Sequence, residues 1–430
     1  MRREELTGRL QQPYTPERGY GVAHVPNAGY ENIWFVVPPN PPATLPAGLA
    51  SGLSPGVLGQ ANSAILRRPM LSEANRLDRL AAYLFARREA VSSSRMEGTW
   101  STVDHALAPA GEDEADFAGE RSAHASVRGY AAALEYGFRE IGRSGISALT
   151  PELVCELHRR VMARDPGFGG VAGQVRTPGL PGDVVQIGGG GRREDSLYNP
   201  APPDHVARSF GAVMGWLADE AVVGMGDAGM GFSLPMRMAI GHAHFEAVHP
   251  FSDGNGRAGR MIWPLQIVAA GRLPLFLSGY VERNRAEYSS ALQEAQKQLS
   301  YGRIVAFVCD AIVASSEEEA LTKSVIGALP DVWRSRSRFR KGSTAARALD
   351  LIDSMPIVTA NLLSRELGVS FQAASTALHA LADSGIVRER TGQSRYRVFA
   401  AEEVIAVLAR PFGEDPEIAL EGARVSLGVE

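Results

Sequence analysis

Cysteine is scarce in this sequence of 430 residues, which contains only Cys155 and Cys309. Two cysteines are too few for a disulfide scaffold or a cysteine-ligated metal site, and both lie in apolar stretches typical of buried free thiols. The N-terminus lacks the apolar core of a signal peptide, and no run of about twenty apolar residues could span a membrane. We therefore expect a chain of the reducing cytoplasm that makes no contact with a membrane.

The sequence also lacks a strong net charge. Its formal net charge is -4 at pH 7, so no overall field attracts it to nucleic acid or to an anionic membrane. Hydrophobic residues make up 45% and charged residues 21%, which is typical of a globular protein with a real core. The length suggests roughly two or three domains.

Composition and helical periodicity divide the chain into six segments. We predict an irregular N-terminal arm over 1–60, with a short strand at 33–37, because this part is rich in proline and glycine. The other predicted segments are a helical region over 61–123, a helical core over 124–330, a basic linker over 331–343, a compact unit over 344–410 and a tail over 411–430. Helices are predicted at about 71–92, 124–142, 150–164, 205–220, 235–248, 257–270 and 284–314.

The most informative segment is 249–260, HPFSDGNGRAGR, which lies between two predicted helices. Gly254 and Gly256 allow successive backbone N–H groups to point at one spot, and such a nest at a helix N-terminus binds phosphate. Arg257 and Arg260 are three residues apart at the start of the second helix, so they share a face and suit a polyphosphate.

Two further side chains on this segment add chemistry to the anion site. Asp253 has the position of a carboxylate that holds Mg²⁺ beside phosphate, and the imidazole of His249 can accept a proton from an attacking hydroxyl. Taken singly, each feature is more often structural: a histidine before proline, a tight turn, a solvated arginine pair. The sequence contains neither GxxxxGK[ST] nor HExxH, which excludes a P-loop and this type of zinc protease site.

The segment 249–260 resembles the signature of the Fic family, HPFx[D/E]GNGRxxR, at every defined position. The residues before it, His242, Phe245 and Glu246, also match the lead-in of that family. The resemblance implies a mainly α fold, a Fic helical core with a small β-hairpin flap. It also implies the transfer of AMP from ATP to a Ser, Thr or Tyr hydroxyl of a target protein, with release of pyrophosphate. Phosphate-transferring members of the Doc type lack this pattern, which favours AMP transfer.

The resemblance assigns a role to each residue of the signature. His249 would be the general base, and Asp253 would hold Mg²⁺. Gly254, Asn255 and Gly256 would cradle the α-phosphate, while Arg257 and Arg260 would bind the β- and γ-phosphates. The resemblance is compatible with self-modification and with a homodimer.

Ser93, Glu97 and Gly98 resemble the inhibitory motif of the same family, [S/T]xxxE[G/N], upstream of the core. The resemblance implies that Glu97 pairs with Arg260 and denies it to the γ-phosphate, so that transfer is autoinhibited. The residues alone indicate only the end of a helix with a glycine cap.

Two more segments resemble parts of Fic proteins. The pieces 173–176 and 185–188, which include Ile187 and Gly188, resemble the flap, a hairpin that could bind a target backbone by strand addition. An ordinary surface hairpin is the alternative. Asn284 and Tyr288 resemble residues that line the adenine pocket, although a core aromatic is an equally good interpretation of Tyr288.

The C-terminal unit has the pattern of a winged helix-turn-helix. Thr359 and Ser370 are predicted helix caps, and the stretches 386–390 and 395–399 alternate like a small hairpin. The predicted wing is basic through Arg388, Arg390, Arg395 and Arg397. This pattern is typical of DNA backbone contact, but such domains also bind proteins.

Three functions therefore stand as hypotheses. The first is a protein adenylyltransferase that is autoinhibited by Glu97. The second is a nucleotide-sensing, DNA-binding transcriptional regulator. The third is an enzyme that removes AMP from a protein.

Overall fold

The computed structural model describes residues 1–25, 29–46, 49, 53, 55–107, 122–189, 192–219, 231–391 and 397–429. The protein is mainly α-helical with small sheets, as predicted. None of the helices in these ranges is long and apolar enough to cross a membrane.

The N-terminal arm contains the predicted strand. Strand β1 (Gly21–Ala23) pairs antiparallel with β2 (Phe35–Val37), and the N–H of Val36 donates to the carbonyl of Asn199 at 2.9 Å. The arm is thereby fastened to the segment that precedes residue 203. Helix α1 (Pro55–Leu66) begins inside the segment that we predicted as irregular.

A bundle of helices follows the arm and contains the segment 249–260. The helices are α2 (Arg76–Met96), α3 (Val103–Leu107), α4 (Ala123–Ser144), α5 (Pro151–Met162), α6 (Pro203–Ala218), α7 (Leu234–Val248), α8 (Asn255–Ala269), α9 (Ser278–Arg283), α10 (Arg285–Gln298) and α11 (Gly302–Arg336).

Helices α7 and α8 form the centre of this bundle. Every residue of α7 after Leu234 is buried, because α7 contacts α6, α8 and α11 on different sides. Local signals set several helix starts. The N–H of Leu153 donates to the hydroxyl of Thr150 at 3.3 Å, and Pro151 occupies the first turn of α5, as the sequence predicts.

The predicted single helix over 284–314 is wrong. It is two helices, since α10 ends at Gln298 and Leu299 has a left-handed backbone with φ of 54°. A leucine in this conformation costs about 1 kcal/mol or more, which surrounding packing must offset. The new direction brings Tyr301 to the buried His244, whose Nε2 lies 2.9 Å from the tyrosine oxygen.

The C-terminal unit consists of α12 (Thr344–Ile352), β3 (Ile357–Thr359), α13 (Ala360–Leu367), α14 (Phe371–Asp383), β4 (Arg388–Glu389), β5 (Val398–Ala400), α15 (Glu402–Ala409) and α16 (Pro416–Leu427). The strand order is β3-β5-β4, and both pairings are antiparallel. The hydroxyls of Thr359 and Ser370 accept the N–H groups of Leu362 and Ala373 at 3.2 Å each, so both predicted caps are present. Arg395, predicted in the wing, lies outside the described residues.

Two predicted boundaries differ from the structure. The predicted linker over 331–343 is helical as far as Arg336, because the fully buried indole of Trp333 donates to Glu403 at 2.6 Å. The predicted tail over 411–430 contains α16, which packs on α15. The C-terminal unit therefore extends beyond 410 and is docked on α11.

Candidate active site

His249 ends α7 in a left-handed conformation with φ of 54°, which is uncommon outside glycine. Its N–H donates to the carbonyl of Phe245 at 2.8 Å. Arg176 holds the other side of the residue: its Nε donates to the carbonyl of His249 at 2.8 Å, and its N–H donates to that of Pro250 at 2.8 Å. The strained residue is thus fixed by its surroundings, as is typical of functional sites.

Asn255 braces the loop from inside. Its Oδ1 accepts the N–H of Phe251 at 2.8 Å, and its Nδ2 donates to the carbonyl of the same residue at 2.8 Å. The ring of Phe251 is fully buried and stacks on His158 at 3.8 Å. The side chain of Asn255 is therefore used to shape the loop. Only its backbone N–H, in the first turn of α8, remains for the predicted phosphate cradle.

Gly254 and Gly256 allow the chain to pass through this crowded turn. Gly254 has φ of 74°, and a Cβ there would lie 2.5 Å from the sulfur of Met162. A Cβ at Gly256 would collide with the Glu97 carboxylate and lie 2.7 Å from Nη1 of Arg260. The backbone at the start of α8 thus lies directly against the Glu97–Arg260 pair.

His249 has a buried carboxylate beside it. Its Nδ1 lies 3.4 Å from Oε2 of Glu246, one helical turn earlier, and the two side chains are 15% and 7% exposed. Burial raises the pKa of Glu246, but His249, His242 and Arg260 outweigh it and hold the pKa below its usual value. An ionised Glu246 stabilises a positive charge on His249. The sequence shows this pair only as an i,i+3 spacing, which does not by itself indicate a role for Glu246.

Arg260 is buried and pairs with Glu97, with Nη2 2.6 Å from Oε1. Its Nε also donates to the hydroxyl of Ser93 at 2.9 Å, and Nη2 donates to the carbonyl of Ser93 at 3.0 Å. Burial opposes the charge, but Glu97 raises the pKa of Arg260 above its usual value. The structure thus brings Ser93, Glu97 and Arg260 together. Gly98, with φ of 80°, ends α2 directly after Glu97.

Arg257, the other arginine predicted to bind phosphates, is paired within the protein. Its guanidinium is 3% exposed and pairs with Oδ2 of Asp165 at 2.5 Å, and Nη1 donates to the hydroxyl of Ser126 at 3.2 Å. Burial raises the pKa of Asp165, but Arg257 lowers it and the net direction is down. Arg257 therefore joins α8 to α4 and to the loop after α5, while Arg260 faces Glu97.

Asp253 is exposed on the loop. Its Oδ1 accepts the N–H of Gly254 at 2.6 Å, and its carbonyl lies 2.9 Å from Nε2 of His158. Because Nδ1 of His158 accepts the N–H of Gly173, Nε2 is the donor. Among the described residues no group of three or more His, Cys, Asp or Glu could hold a metal. A single exposed carboxylate fits Mg²⁺, which completes its shell with water and phosphate oxygens.

The predicted flap hairpin between 173–176 and 185–188 is not formed in the described part of the chain. Arg176 joins the active loop instead, and Ile187 pairs with Tyr198, its N–H donating to that carbonyl at 2.8 Å. The intervening stretch 177–184 lies against the active loop: the carbonyl of Asp183 accepts Nη1 of Arg176 at 2.7 Å, and a Cβ at Gly182 would lie 2.8 Å from that of Ser252. Gly188 follows Ile187 with φ of 72°.

The two residues predicted near adenine both form hydrogen bonds within the protein. Tyr288 is 7% exposed, and its hydroxyl lies 2.7 Å from Nε2 of His242. This agrees with the alternative interpretation of Tyr288 as a core aromatic. Asn284, half-buried between α9 and α10, donates from Nδ2 to the carbonyl of Tyr280 at 2.9 Å.

The helix–loop–helix at 249–260, inside a mainly helical bundle, defines a domain of the Fic type. Residues 148–266 match the model of the Fic/DOC family, residues 57–139 match that of the Fic/DOC family N-terminal region, and residues 346–400 match an HTH DNA binding domain. The chain thus contains a Fic/DOC domain, preceded by the N-terminal region of that family and followed by a helix-turn-helix domain.

Known proteins match over part of the chain. Protein adenylyltransferase fic-1 from Caenorhabditis briggsae is 33% identical over 143 residues, which are 33% of this chain and 23% of that protein. The probable protein adenylyltransferase aq_aa38 from Aquifex aeolicus is 33% identical over 100 residues, which are 23% of this chain and 27% of that protein. The match thus spans about a quarter of each relative. A solved structure of Fic-1 from C. elegans is 21% identical, covers 62% of this chain and 69% of that one, and has a TM-score of 0.45.

Proposed function

We propose that this protein transfers AMP from ATP to a Ser, Thr or Tyr hydroxyl of a protein and that Glu97 restrains the reaction. The observation that carries the proposal is the loop 249–254, with a rigid histidine beside an ionised carboxylate and next to the helix N-terminus at Asn255. The names of the matched relatives, both adenylyltransferases, support the same chemistry.

The proposed reaction follows from the orientation of His249. Because Nδ1 lies against Glu246, Nε2 is the ring nitrogen that accepts the proton of the target hydroxyl. The hydroxyl oxygen then forms a bond to the α-phosphorus of ATP, the bond from this phosphorus to the bridging oxygen breaks, and pyrophosphate leaves. The amides at the start of α8 stabilise charge on the α-phosphate. Mg²⁺, held by Asp253, would neutralise phosphate charge.

In this proposal Arg260 takes the γ-phosphate only when Glu97 releases it. Arg257 also supports the loop through Asp165, and its binding to the β- and γ-phosphates stays a prediction. Adenine contact by Asn284 and Tyr288 stays a prediction. Target binding at Ile187 and Gly188, self-modification and a homodimer also stay predictions. Because Cys155 and Cys309 are both free thiols, we assign the activity to the cytoplasm.

The products formed from ATP test the reaction class. AMP transfer to a protein releases pyrophosphate, whereas phosphate transfer releases ADP. We expect pyrophosphate in the presence of Mg²⁺ and no ADP above background. ADP as the main product would contradict AMP transfer. Net release of AMP from a protein labelled beforehand would favour the AMP-removing alternative.

Replacing Glu246 by glutamine is expected to lower AMP transfer by roughly tenfold, or about 1.4 kcal/mol of barrier. The pKa of Glu246 lies below its usual value, so the carboxylate is charged when it faces His249. An amide of the same size cannot stabilise the imidazolium, and the acidic limb of the pH–rate profile should move to lower pH. An unchanged profile, with Glu140→Gln as the control, would contradict this role.

DNA binding by the C-terminal unit is the second candidate function, and the match of residues 346–400 favours it. The start of α14 exposes Gln372, while Arg338, Arg340 and Lys341 are exposed before α12. Two of the wing arginines have partners within the protein. Arg390 pairs with Glu402, and Nη1 of Arg397 lies 3.0 Å from Nε2 of His379.

Salt dependence tests this second candidate. If the unit binds DNA, the affinity for a random duplex should fall linearly with salt on logarithmic axes, with a slope of about -0.9 per phosphate contact. The triple change Arg338→Ala, Arg340→Ala and Lys341→Ala should flatten that slope. Fluorescence anisotropy measures the salt slope of the wild type and of the triple variant. Binding without salt dependence would contradict DNA binding by this unit.

A further inference from the structure

We propose that the C-terminal unit (residues 344–429) holds α2 in the position at which Glu97 pairs with Arg260. The unit would thereby act as a clamp on the inhibitory residue. This inference rests on the proposed function, because it assigns a further part of the chain to the restraint of the same site.

The first contact of the clamp lies before Glu97 on α2. Nη1 of Arg88 pairs with Oε1 of Glu318 on α11 at 2.5 Å, and Nη2 donates to the carbonyl of Arg410 at 3.0 Å. Arg410, which follows α15, pairs with the same Glu318 oxygen at 2.8 Å. The three side chains are 9%, 3% and 2% exposed. A buried and well-connected network of this kind fixes the relative positions of its members.

The second contact lies after Glu97. Asp104 on α3 pairs with Arg390 at the end of β4, and Arg390 also pairs with Glu402 at 2.5 Å. Helix α15 packs against both α2 and α3. The segment 93–97 is therefore bracketed by two residues, Arg88 and Asp104, that each contact the C-terminal unit.

A third contact reaches Glu97 through α9. The ring of Phe412 packs edge-on against Tyr280 at 5.9 Å, and the carbonyl of Phe412 accepts Nη1 of Arg283 at 2.9 Å. Just beyond α9, Nη2 of Arg285 donates to the carbonyl of Met96 at 2.9 Å, directly before Glu97. The loop after α15 thus supports α9, and Arg285, the first residue of α10 directly after it, secures the end of α2.

A cavity separates these contacts. It has a volume of about 450 Å³ and lies between α2, α9 and the segment 408–414. Its wall includes Ser92 and Arg95 on α2. Beside the cavity, the polar contact from Arg88 to the carbonyl of Arg410 joins α2 to the segment 408–414. Losing such contacts can therefore loosen the end of α2 while its packing in the bundle is kept.

The test uses full-length variants at two contacts, the partly exposed Asp104–Arg390 pair and the buried Arg410. Asp104→Asn and Arg390→Gln, singly and together, remove a pair whose side chains are 29% and 31% exposed. Arg410→Gln removes the buried contact. Arg143→Gln is the control, since Arg143 pairs only locally with Glu140 on α4 and is 70% exposed.

Self-labelling with AMP is expected to rise by roughly fivefold or more in each clamp variant, a coupling of about 1 kcal/mol. The control should match the wild type. In a Glu97→Gly background the same changes should add nothing, because they act through Glu97. If Glu97→Gly labels and the Asp104 and Arg390 variants stay at the wild-type level, the clamp is refuted and the proposed function stands.

Hydrogen exchange gives a readout that is independent of activity. The amides of 88–98 should exchange faster in the Asp104 and Arg390 variants than in the wild type and the control. If Glu97→Gly shows no labelling, the proposed function fails, and exchange still decides whether the clamp holds α2. Unchanged exchange in these variants would overturn the clamp in either case.

Discussion

Replacing Glu97 by glycine is expected to raise AMP transfer by roughly 5- to 150-fold, the range of a coupling of about 1–3 kcal/mol. The carboxylate lies 2.6 Å from Nη2 of Arg260, and the guanidinium is 2% exposed. A buried arginine that is already paired with a carboxylate gains little free energy by exchanging that partner for a phosphate. Removing Glu97 leaves a buried cation that the γ-phosphate can satisfy.

The gain should appear in ATP binding as well as in rate. The variant is expected to bind ATP more tightly than ADP, because only ATP offers a γ-phosphate to Arg260. Glu140→Gln is the matched control, since the ion pair of Glu140, with Arg143 on α4 at 3.0 Å, is local to that helix. An equal gain in the control, or no gain in Glu97→Gly, would contradict the restraint.

Replacing His249 is expected to lower AMP transfer by about 10²- to 10⁴-fold, the usual contribution of a general base. Asparagine is the better substitution, because it tolerates the left-handed backbone that this position requires. His249→Asn should be studied with Glu97→Gly, so that the loss is measured from an active chain. The measurement is the initial rate of pyrophosphate release.

ATP binding separates a chemical role of His249 from a structural one. The double variant should bind ATP as tightly as Glu97→Gly alone, because no phosphate contact is assigned to the imidazole. A loss of binding that parallels the loss of rate would show that the residue shapes the loop instead.

The parts of the fold that depend on local chemistry could be predicted from the sequence. Thr150 followed by Pro151 predicted the start of α5, and Ser370 predicted that of α14. The residues at 249–260 predicted the helix–loop–helix of the site. In each case the residues that predict the element lie within it or within a few residues of it.

The parts that depend on distant partners could not be predicted in this way. The partner of Arg257 is Asp165, 92 residues away, and nothing near Arg257 indicates it. The predicted linker over 331–343 is helical to Arg336, and the buried Trp333 in this stretch has its hydrogen-bond partner, Glu403, 70 residues away. The predicted pairing of 173–176 with 185–188 is absent from the described residues for the same reason. Ile187 pairs instead with Tyr198, a partner that the residues of 173–188 do not indicate.

The most direct test of the central claim is the intact mass of the Glu97→Gly chain after incubation with ATP and Mg²⁺. The account predicts an increase by one or more AMP groups, and no increase when His249→Asn is added. A mass increase by phosphate would contradict AMP transfer. An unchanged mass, in a variant that still binds ATP and with no AMP on any added protein, would contradict the proposed enzyme altogether.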